Sequence, residues 1–228
     1  MTDTGFNHVL AVDTATRRLN LALLYHGDRS VQTGEVVPRT HGQILMKKID
    51  DLFKSAGLAV DDLQGIVVSL GPGSFTGLRI GLAAAKGIAV ARELPLVGVT
   101  MFEVAEARLC EEKGLSHVVI PSRKDEFYVG ACRSGRIAQK DVMVLCEADL
   151  VTRIGSEQVY TIGVSPDSFA NDLLRQTCRP LEYDGMDVLR VGLEKLRRGE
   201  RADLSALEPV YLQKAIAEVR FDQRQGGR

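Results

Sequence analysis

Apolar runs separated by polar turns open the chain and predict a small sheet. The first run, residues 8–12, ends at Asp13, and a second run covers residues 19–25 after a polar turn. Gly27 followed by Asp28 is a strong hairpin signal that leads into a third run. We therefore expect three antiparallel strands at the start of the chain.

Two helices of different character follow these strands. In the first, apolar residues recur at helical spacing over 44–56, with Thr40 as the expected N-cap and Gly57 as the expected stop. The second, over 78–93, has almost no polar face. A helix that is apolar nearly all round is either buried or packs on something outside the chain. The other elements predicted in this half are strands at 65–70 and 96–99 and a helix at 101–110.

The second half of the chain repeats the pattern of the first. An offset of 108 residues places residues 9–12 on residues 117–120 and the hairpin glycine Gly27 on Gly135. Further predicted elements are helices at 148–154, 168–176 and 186–197 and a strand at 159–164. Internal duplication predicts two lobes of one β-β-β-α-β-α plan that face each other over a cleft. The expected division is an N-terminal lobe over 1–108, a C-terminal lobe over 109–215 and a flexible tail over 216–228.

Composition is that of an ordinary folded protein. The 228 residues include 29 Lys and Arg against 30 Asp and Glu, for a formal net charge of −1. This balance argues against an autonomous nucleic-acid binder, which needs surplus cations to neutralise phosphates. No apolar run reaches the roughly 18 residues of a membrane span, and the polar residues after Met1 lead us to expect no secretory signal. The four cysteines form no C-x-x-C pair, so we expect reduced thiols in a cytoplasmic protein without structural zinc.

The segment over residues 69–81, SLGPGSFTGLRIG, is the strongest candidate for chemistry. It is predicted to run from a strand through a glycine-rich loop into the start of a helix, where backbone N–H groups favour anions. It is not a Walker A loop, because no Gly-Lys-Ser/Thr follows. The alternative is that the glycines serve tight turns and close packing of the next helix.

Asp13 is the second candidate, at the end of the first predicted strand. In actin-like ATPases and sugar kinases an acidic residue at this place helps to hold the metal and phosphate, with a second acid in the other lobe. The residue that matches Asp13 at the 108-residue offset is Pro121, which has neither a charge nor an N–H to offer. An ATP site would thus be incomplete unless Asp125 or Glu126, four and five residues further on, compensates rather than capping the next strand. Its expected remains are Asp13, Thr14, Gly71, Gly73 and Ser74.

Neither a metal site nor a catalytic residue is predicted. A helical metal site needs a second histidine one turn after His41, and Leu45 stands there. Ser74 has no identifiable base beside it, and no G-x-S-x-G elbow occurs.

Several of these segments together resemble the TsaB family, also called YeaZ, of bacterial proteins in tRNA threonylcarbamoyladenosine synthesis. The segments that carry the resemblance are VDTAT at 12–16, GPGSFTGLRIG at 71–81, AKGIA at 85–89, EFY at 126–128 and PVYL at 209–212. The resemblance spans residues 8–215 and implies the two-lobed actin-like, Hsp70-like, sugar-kinase-like (ribonuclease H-like) α/β fold. The chain departs from the family at residues 121–123, where Pro-Ser-Arg replaces the common Asp-Ala-Arg.

The resemblance also implies a role and partners. TsaB proteins are non-catalytic and pair with TsaD, a homologous transferase that keeps the metal-binding histidines, while the ATPase TsaE joins them. The substrate of the complex is tRNA, at the adenosine next to the anticodon. ATP and metal are expected in the assembled complex rather than on this subunit alone, a homodimer is expected when the partner is absent, and no membrane is involved.

The family pairs through the first two helices of the N-terminal lobe. The expected interface residues are Ile44, Leu45, Ile49, Leu52, Leu78, Gly81, Ala84, Ala85 and Ile88. On this expectation a charged residue at position 49 or 84 breaks association and leaves the fold intact.

Two other functions remain open at the level of sequence. An ATP-dependent small-molecule kinase of the same fold is suggested by the glycine-rich loop and Asp13, and is weakened by Pro121. A metalloprotease would need two histidine ligands and a Glu placed as general base, which the chain does not offer. Binding of magnesium–ATP to the isolated chain would favour the kinase, and loss of activity with a chelator would favour the protease.

Overall fold

The computed structural model describes residues 5–37, 41–122, 125–155 and 157–210. The predicted cap Thr40, the last two residues of PVYL and the tail over 216–228 lie outside the described residues, as does the side chain of His41.

The first sheet confirms the three antiparallel strands and adds two parallel ones. Its order is β3-β2-β1-β4-β5, with β1 antiparallel to β2 and parallel to β4. The strands are β1 (Val9–Asp13), β2 (Arg18–Tyr25), β3 (Arg29–Val36), β4 (Gly65–Gly71) and β5 (Leu96–Thr100).

The second sheet repeats this arrangement. Its order is β11-β10-β6-β7-β8, with β9 also paired to β7, so the antiparallel hairpin and the parallel strands occupy the same places as in the first sheet. The strands are β6 (Leu115–Pro121), β7 (Glu126–Arg133), β8 (Arg136–Ile137), β9 (Met143–Cys146), β10 (Gln158–Thr161) and β11 (Cys178–Pro180). Gly27 and Gly135 both lie in hairpin turns with positive φ, at 77° and 74°. The predicted duplication and the two-lobed actin-like, ribonuclease H-like fold class are confirmed.

The described chain also contains six α-helices, and two of them begin three or more residues away from the predicted start. They are α1 (His41–Ala56), α2 (Phe75–Arg92), α3 (Met101–Arg108), α4 (Glu147–Ile154), α5 (Asp172–Thr177) and α6 (Gly185–Arg197). Helix α2 begins three residues earlier than predicted, because the Ser74 hydroxyl accepts the Gly77 N–H at 3.2 Å and caps it. The window at 168–176 is a short 3₁₀ turn followed by α5, which Asn171 caps through the Leu173 and Leu174 N–H groups.

Helices cover both faces of the first sheet. Alternate residues of a strand point to opposite faces. Leu10 and Val12 accordingly pack with α1 and α2 on one side, while Val9 and Ala11 pack with α6 on the other. Helix α3 packs in the same core as Val9, Ala11 and α6. It also contacts the second sheet, where Phe102 lies against Gly130. The space between the two sheets is therefore filled by α3 and α6.

The end of the described chain returns to the first sheet. Helix α6 packs on β1, β2, β4 and β5, although its residues fall in the segment predicted as the C-terminal lobe. Gly192 allows this approach, since a methyl group there would clash with the Val67 side chain. The Ala202 N–H then donates to the Leu96 carbonyl at 2.9 Å, and the Val210 N–H donates to the Leu70 carbonyl at 2.8 Å. The division of the chain into lobes at residue 108 stays a prediction.

Candidate functional site

The Asp13 carboxylate is fully buried and bonded to groups of the protein itself. The Ala15 N–H donates to its Oδ1 at 2.9 Å, and the Asn20 side-chain amide donates to its Oδ2 at 3.0 Å. The Tyr183 hydroxyl also donates to Oδ2, at 2.9 Å. A metal or phosphate site would need this carboxylate to be open to a ligand. Three internal donors surround it instead.

Tyr183 is the member of this cluster that sequence reasoning missed. It lies 170 positions from Asp13 in the chain, just before α6, and no local pattern marks it. Burial, together with the Asp13 charge, raises the pKa of the Tyr183 hydroxyl well above its usual value. The hydroxyl therefore remains a proton donor to Asp13 throughout the physiological pH range.

The glycines of the GPGSFTG segment pack against the turn that follows Asp13. Methyl groups on Gly73 and Gly77 would clash with the carbonyl oxygens of Ala15 and Thr14, and one on Gly81 would clash with the Thr14 hydroxyl. Only glycine permits backbones to approach this closely. This geometry supports the close-packing alternative for the glycines.

Three backbone donors at the same junction already have acceptors. The Ser74 N–H donates to the Ala15 carbonyl at 2.7 Å, and the Gly77 N–H donates to the Ser74 hydroxyl. The Thr14 N–H donates to the Ser69 hydroxyl at 3.3 Å. Among the residues expected as remains of a phosphate site, Asp13, Thr14 and Ser74 are thus bonded to neighbouring groups of the chain, whereas the buried Thr14 hydroxyl has no hydrogen-bond partner among the described residues. The closed Asp13 carboxylate weighs against a metal–nucleotide bound at that group, and a phosphate site here stays a prediction.

The expected partner interface requires a correction. The residues of that set that are buried inside the chain's own core are Leu45, Ile49, Leu52, Leu78, Gly81, Ala85 and Ile88. They face the first sheet or the space between α1 and α2, because a helix on a sheet buries the side that faces the strands. Ile44 and Ala84 are half-buried and remain available. Since Ile49 is only 1% exposed, a charge there is expected to break the fold rather than association alone.

The opposite side of the two helices carries exposed apolar residues that sequence reasoning did not select. We call this surface the outer face; its exposed residues are Met46, Phe75, Ala83, Gly87 and Val90, and the half-buried Ile80 lies at its edge next to Gly42 of α1. Val90 is 64% exposed, Met46 54% and Phe75 43%. On α2 the spacing of Thr76, Ile80, Ala83, Gly87 and Val90 is four, three, four and three residues, which places them in one stripe.

No metal-binding group appears in the part of the chain that the structure describes. There, no three His, Cys, Asp or Glu side chains come close enough to hold an ion. Leu45, one helical turn after His41, is buried in the core of the first lobe. Within the same described residues, no helix is both long and apolar enough to cross a membrane.

Comparisons with known proteins point to one family. A family model described as TsaD, tRNA N6-adenosine threonylcarbamoyltransferase, matches residues 28–198. The tRNA threonylcarbamoyladenosine biosynthesis protein TsaB of Escherichia coli K12 is 27% identical over 92% of this chain and 96% of its own. TsaB of Bacillus subtilis 168 is 28% identical over 95% of this chain and 99% of its own.

A solved structure agrees with these relatives. YeaZ from Pseudomonas aeruginosa superimposes with a TM-score of 0.72 and 28% sequence identity, over 90% of this chain and 100% of that one. The likeness thus extends over both lobes and is not confined to the glycine-rich segment.

Proposed function

Since the chain belongs to the family that the TsaD model describes, and within it to the TsaB (YeaZ) proteins of tRNA threonylcarbamoyladenosine biosynthesis, we propose that it is a non-catalytic subunit that binds a TsaD-type transferase through the outer face. The single observation that carries this proposal is the exposed apolar surface on α1 and α2 in a member of this family.

The outer face has the properties of a protein-binding surface. Large exposed apolar side chains rimmed by polar residues mark such surfaces on soluble proteins. Ala83 and Gly87, which lie between Ile80 and Val90, project little or nothing from α2, so a partner helix could approach its backbone closely. The exposed Lys47 and Arg79 border the apolar residues and supply a polar rim.

The buried Asp13 supports a role without catalysis. A carboxylate that already accepts three internal hydrogen bonds is poorly placed to bind metal or to accept a substrate proton. Pro121, at the end of β6 where a second acid would stand, has no charge to contribute. The same two observations weigh against an ATP-dependent kinase, and the described residues provide no ligand set for a metalloprotease.

The other members of the complex follow from the same proposal. The TsaE-type ATPase and the tRNA substrate are parts of the assembled complex, and ATP and metal are assigned to that complex rather than to this subunit. The complex acts in the cytoplasm. In the absence of the transferase, the outer face is free to pair with a second copy of this chain.

Size-exclusion chromatography with light scattering tests the pairing. We expect this chain, alone a monomer or homodimer, to form a heterodimer when mixed with the TsaD-type protein of the same organism. Separate elution of the two proteins at concentrations well above micromolar would overturn the proposal.

An Asp13→Asn variant tests the absence of catalysis. Asparagine keeps the size of the buried side chain but replaces one acceptor oxygen by an NH2 group that faces a donor, so the comparison is made on variant protein that circular dichroism shows to be folded. We expect the assembled complex to modify tRNA at a rate within a few-fold of wild type. Loss of a direct catalytic group typically costs about a hundredfold or more, and a loss of that size in a folded variant would show that Asp13 takes part in the chemistry.

A further inference from the structure

The segment over residues 181–184 carries the chain from the second sheet to the first, and we call it the strap. It follows β11, the edge strand of the second sheet, and precedes α6, which lies on the first sheet. At its start the Leu181 N–H donates to the Thr161 carbonyl of β10 at 2.8 Å. The strap is therefore tied to the second sheet at one end.

The other end of the strap is bonded to the first sheet at two places. The Tyr183 hydroxyl donates to Asp13 at the end of β1 at 2.9 Å, and the Gln32 side-chain amide of β3 donates to the Asp184 carboxylate at 3.0 Å. Asp184 also caps α6, where its Oδ1 accepts the Met186 N–H at 2.8 Å. Two residues thus connect the strap to both β1 and β3.

The two lobes also touch directly beside this strap. A methyl group on Gly163, which follows β10, would lie 2.9 Å from the Thr16 side chain in the turn after β1. The Thr16 hydroxyl in turn lies 3.5 Å from the Tyr183 hydroxyl. The turn that carries Asp13 is therefore in contact with the second lobe, with no space for a ligand between Thr16 and Gly163.

We propose that the strap is a built-in lock that holds the two lobes at one angle, and that the Tyr183–Asp13 hydrogen bond is its latch. In many two-lobed enzymes, closure about a hinge is driven by bonds that each lobe makes to a ligand. In this chain the protein supplies those bonds from its own strap, so the closed arrangement needs no ligand. The inference does not depend on the identity of any binding partner.

Hydrogen exchange measured by mass spectrometry on a Tyr183→Phe variant tests the latch. The substitution removes one oxygen and keeps the ring, so the packing is retained. A hydrogen bond to a charged group is strong enough that its loss should speed local opening by roughly tenfold or more. We expect this acceleration on both sides of the latch, in peptides that cover residues 13–20 and residues 158–164, while α1 and α2 exchange as in wild type.

Tyr160→Phe is the matched control. It removes another tyrosine–carboxylate hydrogen bond, from Tyr160 to Glu112 at 2.8 Å, which does not involve the strap. We expect this variant to leave exchange over residues 13–20 unchanged. Acceleration confined to residues 13–20 in Tyr183→Phe, or equal acceleration there in both variants, would overturn the lock.

Adding a nucleotide to the wild-type chain gives a second, independent test. We expect millimolar magnesium–ATP to leave the exchange of both lobes of the wild-type chain unchanged, because the lobes are already closed. Slower exchange in both lobes on addition of nucleotide would show that a ligand completes the closure, and the proposal would fail even if the Tyr183→Phe variant behaved as expected.

Discussion

The turn after β1 and the outer face of α1 and α2 are two candidate regions with opposite character. The turn contains a carboxylate, hydroxyls and glycines of the kinds that phosphate sites use, yet Asp13 is fully buried and bonded to three internal donors. The outer face has no catalytic group, yet Val90 and Met46 are more than half exposed.

The difference shows that the type of residue is a weaker guide to function than whether its bonding capacity is already used. A buried polar group whose partners are all internal contributes to folding and to the specificity of the fold. An exposed apolar side chain gains free energy when a binding partner removes it from water. The proposed function accordingly uses the surface of the first lobe rather than its cleft.

The largest expected effect is on the free energy of unfolding, when the buried and exposed sides of α1 are compared. Ile49→Asp places a charge at a position that is 1% exposed and should lower the free energy of unfolding by about 4 kcal/mol or more. Met46→Asp, on the same helix but 54% exposed, should change it by less than about 0.5 kcal/mol. Urea unfolding of both variants measures these changes in the free energy of unfolding. Equal decreases would contradict the description of one side of α1 as buried and the other as exposed.

A similar comparison on α2 uses two glycines. Gly77→Ala should destabilise the chain by roughly 2–3 kcal/mol, because the added methyl group would clash with the Thr14 carbonyl oxygen. Gly87→Ala has open space around the added methyl and should stabilise the helix by roughly 0.5–1 kcal/mol. Thermal and urea denaturation of the isolated chain should thus give shifts of opposite sign, and a tolerated Gly77→Ala would contradict the close packing of the glycine segment.

The smallest effect concerns a buried polar group of the second lobe. Burial lowers the pKa of His117, although Glu157 lies 3.2 Å from its Nδ1 and acts in the opposite direction. The unfolded chain, with a histidine pKa of about 6.5, then binds more protons than the folded chain in the interval below that value. Stability should therefore be complete above about pH 6.5 and fall as the pH drops through the interval.

A His117→Gln variant isolates this contribution. Between pH 7.5 and pH 5.5 its urea midpoint should fall less than that of wild type, since the buried imidazole is no longer present to be protonated. An identical fall in both proteins would show that His117 is not the group responsible.

Much of the fold could be predicted from the sequence because the alternation of apolar residues, the turn residues and the internal repeat all indicated the same elements. Alternation and turn residues gave the hairpins, and the coincidence of Gly27 with Gly135 revealed the duplication that both sheets confirm. The start of α2 was misplaced because the Ser74 cap lies within the loop and not directly before the apolar run.

The side of α2 that is exposed could not be predicted from the sequence. A helix that is apolar nearly all round has no polar stripe to identify the exposed side, and tertiary packing of Gly77 and Gly81 on Thr14 decides it. The Tyr183 contact to Asp13 was equally inaccessible, since 170 positions separate the two residues and only the assembled fold brings them together.

Partner affinity of a Val90→Asp variant tests the central claim most directly. Its dissociation constant for the TsaD-type transferase should rise at least about tenfold, equivalent to about 1.4 kcal/mol, while its unfolding midpoint stays within the error of wild type. Leu173→Asp, at a position in α5 that is 41% exposed and belongs to the second lobe, should leave the dissociation constant unchanged. A Val90→Asp variant that binds as tightly as wild type would contradict the assignment of the outer face as the partner-binding surface.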